Sequence, residues 1–468
     1  MKNKHFSARN LALIILAILF LTAKSNAGLR DLSNQYDYII IYHSEFTEQI
    51  KRFADWRQSK GFDVITVNVN DIYSEFSYIQ EKNEQIRECL RFAAEDWKKP
   101  SPKYALLVGS VFHIPSFKVA SEFTHQGEDS VTIDGMFALH PKTNEYVQML
   151  ALGRFPVRDT NELNNIIDKT IFFEDSSKYV NYKNDFIVTV DSADFESFSF
   201  LAEDFLSSAY FINYKIKRAY FHPDKQNFCN KDDFFKYLYQ GANYLCNYLH
   251  GNPDCWTLGK IITSADIDTA NFTNKPFILT EIACSQNFDN PEKEGIVEKL
   301  INKKSGGAVA AYISSGLNWA HMSSVLLRDF YDSIYKYGYK TIGEAVKSSK
   351  ESDNSFLAQR YTLLGDPALA VPKNLPAGIN FHYSSTTKKI DNPVKLGSTM
   401  NIRTDDNEIR DIVVYDIMGN AVAGFNPSGT SADGYTSYDI PATLSSGVYF
   451  LRVNAGKSVR TDKFIIIK

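Results

Sequence analysis

Two tandem α/β sub-domains with mainly parallel sheets, followed by a small all-β sandwich, form the fold class that the sequence predicts. Three observations predict it. Short apolar and β-branched runs alternate with amphipathic stretches from residue 37 to about residue 372, the pattern of strand–helix–strand units. Several of those runs, such as Tyr104-Ala-Leu-Leu-Val, are apolar at every position, as strands covered on both faces require. Beyond Pro372 the text becomes rich in Pro, Gly, Ser and Thr and retains only short strand runs.

The elements follow in order. Lys2, Lys4 and Arg9 precede an apolar run over 11–21, and small residues over 23–27 stand before Gly28, which reads as a secretory signal peptide over 1–27. That run is shorter than the roughly 20 residues that cross a bilayer, so no membrane anchor is expected after its removal. The first sub-domain, 28–182, takes strands at 37–42, 62–69, 104–109 and 149–155, with helices at 46–61, where Gly61 stops the periodic pattern, and at 86–97. The second, 183–372, takes strands at 185–190, 243–249, 277–282 and 307–313, with helices at 199–209 and 295–302. The polar break at 172–184 favours two sheets over one. A linker at 373–389 leads to the sandwich at 390–468, with strands at 411–416 and 447–453.

Composition narrows the function. Of the 468 residues, 44% are hydrophobic and 14% aromatic, with 33 Phe and 27 Tyr, so there is ample material for packed cores. A net charge of −4 from 51 basic and 55 acidic residues shows no electrostatic footprint for nucleic acid. The five cysteines, Cys89, Cys229, Cys246, Cys255 and Cys284, leave at least one thiol unpaired, and no CxxC spacing suggests a metal or redox pair. Cys246 in an apolar strand and Cys89 on a helix face read as small core residues.

In open parallel sheets, ligands sit beyond the carboxyl ends of strands. The 243–249 run ends in His250-Gly251, and the 277–282 run in Ala283-Cys284-Ser285. An imidazole that takes the proton of a thiol supports covalent acyl transfer without a metal, so Cys284 is the candidate nucleophile and His250 its base. Gly251, lacking a Cβ, lets backbone approach a substrate, and its N–H together with that of Cys284 could hold an oxyanion. A strand-end Cys more often serves packing, and a strand-end His a polar cap, so the weight rests on the pair. A hydrolase built on Ser285 or Ser314 lacks a GxSxG elbow.

In order along the chain, Tyr38-Ile-Ile-Ile, Ala54-Asp-Trp-Arg-Gln-Ser-Lys-Gly61, Leu106-Leu-Val-Gly-Ser-Val-Phe-His-Ile-Pro115, Leu152-Gly-Arg-Phe-Pro156, Tyr248-Leu-His-Gly251, Glu281-Ile-Ala-Cys284, Gly306-Gly-Ala-Val-Ala310 and Leu364-Gly-Asp-Pro367 resemble the gingipain-type cysteine peptidases. The resemblance spans about residues 36–372 and lies in the order of motifs. It implies a caspase-like catalytic unit and proteolysis of protein or peptide substrates through a Cys–His dyad. It further implies an acid that orients the histidine, for which Glu122 is the candidate, and a substrate pocket with Asp134 as an acid for basic residues and Trp319 as its aromatic wall. It implies no cofactor for catalysis, and structural calcium without named ligands. A long propeptide, usual in the best-known relatives, is not recognised between the signal and the catalytic unit.

The end of the chain resembles a second module. Val413-Val-Tyr-Asp-Ile-Met-Gly-Asn420, Leu444-Ser-Ser-Gly-Val-Tyr-Phe-Leu-Arg452 and Lys463-Phe-Ile-Ile-Ile-Lys468 are similar to the C-terminal sorting domain of type IX secretion. This implies the type IX machinery as partner, export through the periplasm, and a secreted or outer-surface location. A binding sandwich is the alternative for this module, and an inactive surface binding or assembly protein the alternative for the whole chain.

Overall fold

The structure is a computed structural model. It describes residues 28–468 apart from 143–145, 175–184, 209–210, 212–213, 273, 291, 373–393, 396–398, 404–408, 417–420, 426–434, 446, 456–457 and 468. The expected signal peptide and the expected linker therefore lie outside the described residues.

The main body is organised on ten strands: β1 (Tyr38–Tyr42), β2 (Val64–Asn68), β3 (Tyr104–Val108), β4 (Ala151–Phe155), β5 (Asp185–Val190), β6 (Lys215–Tyr220), β7 (Tyr244–Tyr248), β8 (Pro276–Glu281), β9 (Gly307–Ser314) and β10 (Tyr361–Gly365). They form one sheet in the order β2-β1-β3-β4-β10-β9-β8-β7-β5-β6. The expectation of two separate sheets is thus corrected. The last strand, β10, returns to the middle, pairing antiparallel with β9 and joining β4 through Leu364 and Arg154. The polar break at 172–184 hid this, because the strand that closes the gap comes almost 180 residues later in the chain.

That closure fixes the direction of every strand. β1 to β4 run parallel to one another, and β5 to β9 run parallel to one another and opposite to β10. Just past β4, Arg158 reaches the Asn290 carbonyl and Glu298 beyond β8, whereas Tyr38 at the start of β1 and Arg57 reach Asp366 just past β10, so the carboxyl ends of β1 to β9 lie on one side of the sheet and β10 alone is reversed.

Helices cover both faces. The period of two sends Ile40, Leu106, Leu245 and Leu279 into one continuous core with helices α1 (Thr47–Ser59), α2 (Thr160–Glu174) and α3 (Ile296–Asn302). On the other face, Ile39, Ile41, Ala105 and Leu107 pack in a first-half core with the Lys82–Glu95 helix. Val188, Cys246, Ile278 and Tyr312 share a second-half core with the Phe195–Leu206, Ala320–Tyr335 and Ile342–Asp353 helices. This double burial explains why the strands read as uninterrupted apolar runs.

Among the described residues, the regular elements of the C-terminal segment are strands. Ile409–Tyr415, Ala421–Phe425, Gly447–Ala455 and Ser458–Ile467 pair antiparallel, Val394–Lys395 joins parallel at the edge, and Thr399–Arg403 pairs with Tyr435–Asp439 in a second small sheet. Among the described residues no helix is long and apolar enough to cross a membrane.

Candidate active site

The parallel pairing of β7 and β8 sets Asn247 opposite Glu281 and joins the Ile282 amide to the Asn247 carbonyl at 2.8 Å. His250 and Cys284 stand three residues beyond that register pair in their respective strands. The alternation that puts Cys246, Tyr248, Ile278 and Ile282 in one core also places both residues toward the same face. There the imidazole meets the Phe198 ring edge-on at 5.1 Å between centroids, and Cys284 Sγ lies 3.5 Å from the Asn318 carbonyl, just ahead of the Ala320–Tyr335 helix.

Gly251 shows how close these strand ends run. A Cβ added there would fall 2.5 Å from Gln286 Nε2, 2.9 Å from Ala283 Cβ and 3.1 Å from the Cys284 carbonyl oxygen, so only glycine lets the histidine strand end lie on the cysteine strand end. Ser285 takes a left-handed φ of 54°, and its amide and that of Gln286 donate to the Gly316 and Ser314 carbonyls at 2.9 Å. The Cys284 amide has no backbone acceptor among the described residues.

Two carboxylates hold the histidine. Asp191, fully buried at the end of β5, accepts the His250 and Leu258 amides at 3.0 Å on one oxygen and the Ala193 amide at 3.1 Å on the other. Asp194 accepts from or pairs with His250 Nε2 at 2.8 Å, from an exposed loop position of left-handed φ. Neither was singled out from the sequence. The strand-end rule that found His250 and Cys284 applies equally to Asp191, which follows the apolar 185–190 run.

Glu122 sits elsewhere. Its Oε2 accepts from buried Arg360 Nη2 at 2.6 Å, and no contact joins it to His250 among the described residues. Arg360 also donates to Glu128 Oε1 at 2.5 Å, to Ser121 Oγ at 2.9 Å and to the Leu317 carbonyl at 3.2 Å. Glu128 Oε2 in turn accepts the Leu317 amide at 2.6 Å. This charged hub fastens the 121–128 loop to the segment leading into Asn318 and Trp319. The Trp319 ring, half-buried, packs on Phe123 at 5.5 Å, so Trp319 stands in the wall beside Cys284.

Asp134 does not face this cleft. It is 2% exposed, paired through both oxygens with Arg154 at 2.6 and 2.8 Å, and accepts Ser116 Oγ at 2.7 Å. A carboxylate already saturated by a buried guanidinium has neither charge nor access to offer a substrate, so the pocket role expected for it is corrected.

All five cysteines are free, and Cys284 alone among them is not fully buried. Burial nevertheless pushes its thiol above the ordinary range, opposed by hydrogen bonding with the Asn318 backbone and reinforced by the nearby Glu128 charge. On the other face, Thr189, Asn247 and Glu281 form a polar row across β5, β7 and β8, at 2.8 and 3.3 Å. Burial pushes the Glu281 carboxyl up to about 8, and its Oε1 has no hydrogen-bond partner.

Comparison with known proteins agrees with this architecture. A model of peptidase family C25 matches residues 31–372, and a model of the secretion system C-terminal sorting domain matches residues 392–468. No curated protein matches the chain. Among solved structures, the Arg-specific cysteine proteinase gingipain R is similar, with a TM-score of 0.59 at 16% identity, over 93% of this chain and 99% of that one. A complex of the RgpB pro- and mature domains from Porphyromonas gingivalis is similar at a TM-score of 0.56 and 16% identity, over 92% of this chain and 100% of that one. The main body therefore has the gingipain fold that the motifs implied. The sorting domain indicates export, with secretion or attachment at the outer surface, and implies the secretion machinery as partner. Because the first family model spans the whole ten-stranded unit and both strand ends that carry the histidine and the cysteine, the chain belongs to peptidase family C25.

Proposed function

We propose that the protein is a secreted or cell-surface cysteine endopeptidase that cleaves proteins or peptides through Cys284 and His250. The observation that carries this reading is the register: His250 and Cys284 occupy equivalent positions past adjacent parallel strands, on one face, with Gly251 packed against the Cys284 carbonyl. Asp194 holds Nε2, and among the described residues no hydrogen bond occupies Nδ1, so Nδ1 is the atom that exchanges a proton with the thiol.

The thiol rests protonated because burial raises its pKa. Proton transfer to Nδ1 thus accompanies attack of Sγ on the peptide carbonyl. The amides of Cys284 and Gly251 stabilise the tetrahedral oxyanion, and the imidazolium, steadied by Asp194, returns its proton to the leaving amine. Water then attacks the thioester with His250 as base. An Arg preference, as named for gingipain R, has no support here from Asp134, whose charge belongs to Arg154.

Cys284→Ala should lower cleavage of a diverse peptide pool by at least about 10³-fold while leaving the melting temperature unchanged, since the side chain is small and only partly buried. A thiol-directed covalent inhibitor should label the native chain once, at Cys284. Undiminished proteolysis in the variant defeats the assignment, and a labelled chain without turnover identifies a binding protein on a peptidase fold.

A further inference from the structure

The first-half strand ends, several strands away from Cys284 along the sheet, carry a cluster that the peptidase reading does not use. His43 follows β1 directly, Glu45 lies in the short turn after it, and His113 lies in the loop after β3. One ligand atom from each of the three falls within 4.8 Å of the other two. His113 Nε2 is 3.5 Å from Glu45 Oε2, and the two imidazole centroids are 5.2 Å apart. We propose that His43, Glu45 and His113 form a binding site for a divalent transition metal of the Zn²⁺ type, remote from Cys284, that ties the corner after β1 to the loop after β3.

The donor set decides the class of ion. Two imidazoles and one carboxylate suit zinc and its neighbours, whereas calcium requires a shell of oxygens. In a tetrahedral zinc site with bonds of about 2.0–2.2 Å, ligand atoms stand roughly 3.3–3.5 Å apart. The His113–Glu45 separation already meets that spacing, and rotation of exposed Glu45 and half-buried His43 closes the rest.

The surroundings hold His113 as a ligand is usually held. Ser110 Oγ sits 3.0 Å from Nδ1, fixing the ring so that Nε2 points to Glu45. The Phe46 ring packs on the imidazole at 5.0 Å, and Gly109, with φ of 130°, admits it, since a Cβ there would lie 2.5 Å from His113 Cβ. His43 accepts the Glu45 amide on its Nδ1 at 3.4 Å, the limit of a hydrogen bond, and meets the Phe46 ring edge-on at 6.5 Å between centroids. Three protein ligands with an exposed carboxylate leave further coordination open to solvent.

The full chain carrying Cys284→Ala is the material to test, because it removes both self-cleavage and the thiol–imidazole pair as a competing zinc site. After chelator treatment, titration with Zn²⁺ alone should show one ion per chain, bound at least tenfold more weakly in His113→Gln and in the exposed Glu45→Gln. Zn²⁺ should raise the melting temperature of the parent and shift that of both variants less. Co²⁺ in place of Zn²⁺ should give a visible tetrahedral absorption that His113→Gln abolishes. Absence of one-to-one binding, or binding undiminished in both variants, overturns the proposal. Should His113→Gln fail to fold, Glu45→Gln decides alone.

Discussion

Where β7 and β8 end, the sheet opens onto His250 and Cys284; on the same side but among the first-half strands, where β1 and β3 end, it opens onto His43 and His113. Both edges use adjacent parallel strands to bring side chains from distant parts of the chain together. They differ in what the following loops add. At the first edge a half-buried thiol is combined with carboxylates that engage the histidine backbone and Nε2, which leaves Nδ1 for the proton transfer proposed above. At the second edge the carboxylate approaches an imidazole nitrogen itself, and no thiol is present. Strand ends supply position, and the first few loop residues supply the chemistry.

The largest effect that sharpens this contrast lies between the edges, at Asp134. Its pair with Arg154 is fully buried, so Asp134→Asn strands a guanidinium and should cost about 3–5 kcal/mol, read as a large fall in the denaturation midpoint. Substrate selectivity of the fraction still folded should be unchanged. A stable variant with altered selectivity would return Asp134 to the substrate pocket.

A second effect belongs to Glu281 behind the cysteine edge. Its folded pKa, about 8 against 4.5 for an ordinary glutamate, is raised by burial, so the folded state favours the protonated carboxyl. The stability it lends is therefore fully present below the unfolded pKa and declines as pH rises toward 8, with a slope of about 1.4 kcal/mol per pH unit for one proton. Glu281→Gln should remove that slope. Melting temperatures of parent and variant should diverge between pH 5 and pH 8, the variant gaining, and parallel curves would refute a neutral Glu281.

Much of the fold was legible because double burial writes itself as apolar runs: β1, β3, β5, β7, β8 and β9 fall within a residue or two of their expected bounds. β10 was not, since Tyr361-Thr-Leu-Leu-Gly is short and its role as the joint between halves depends on pairing with strands far away in sequence. At the site, His250, Cys284 and Gly251 were legible from strand-end position, which local sequence encodes. Asp194 was not, because nothing local tells which exposed loop carboxylate will swing onto an imidazole some 56 residues later. Glu122 and Asp134 show the same limit in reverse: their partners, Arg360 and Arg154, are set by the tertiary fold.

The smallest effect separates Asp194 from Glu122. Asp194 is largely exposed, so its attraction for the imidazolium is screened, and Asp194→Asn should lower kcat/KM about tenfold, or about 1.4 kcal/mol, with little change in stability. Raising salt should narrow the gap between parent and variant, because only the charged interaction is screened. Glu122→Gln leaves the histidine contact untouched and should change kcat/KM less than about threefold, its carboxylate being one of two on Arg360. If instead Glu122→Gln is the damaging change and Asp194→Asn is silent at every salt concentration, orientation of the histidine passes to the 121–128 loop. The cysteine edge would then be assembled from both halves of the sheet, unlike the pair of His43 and His113, which the first half builds by itself.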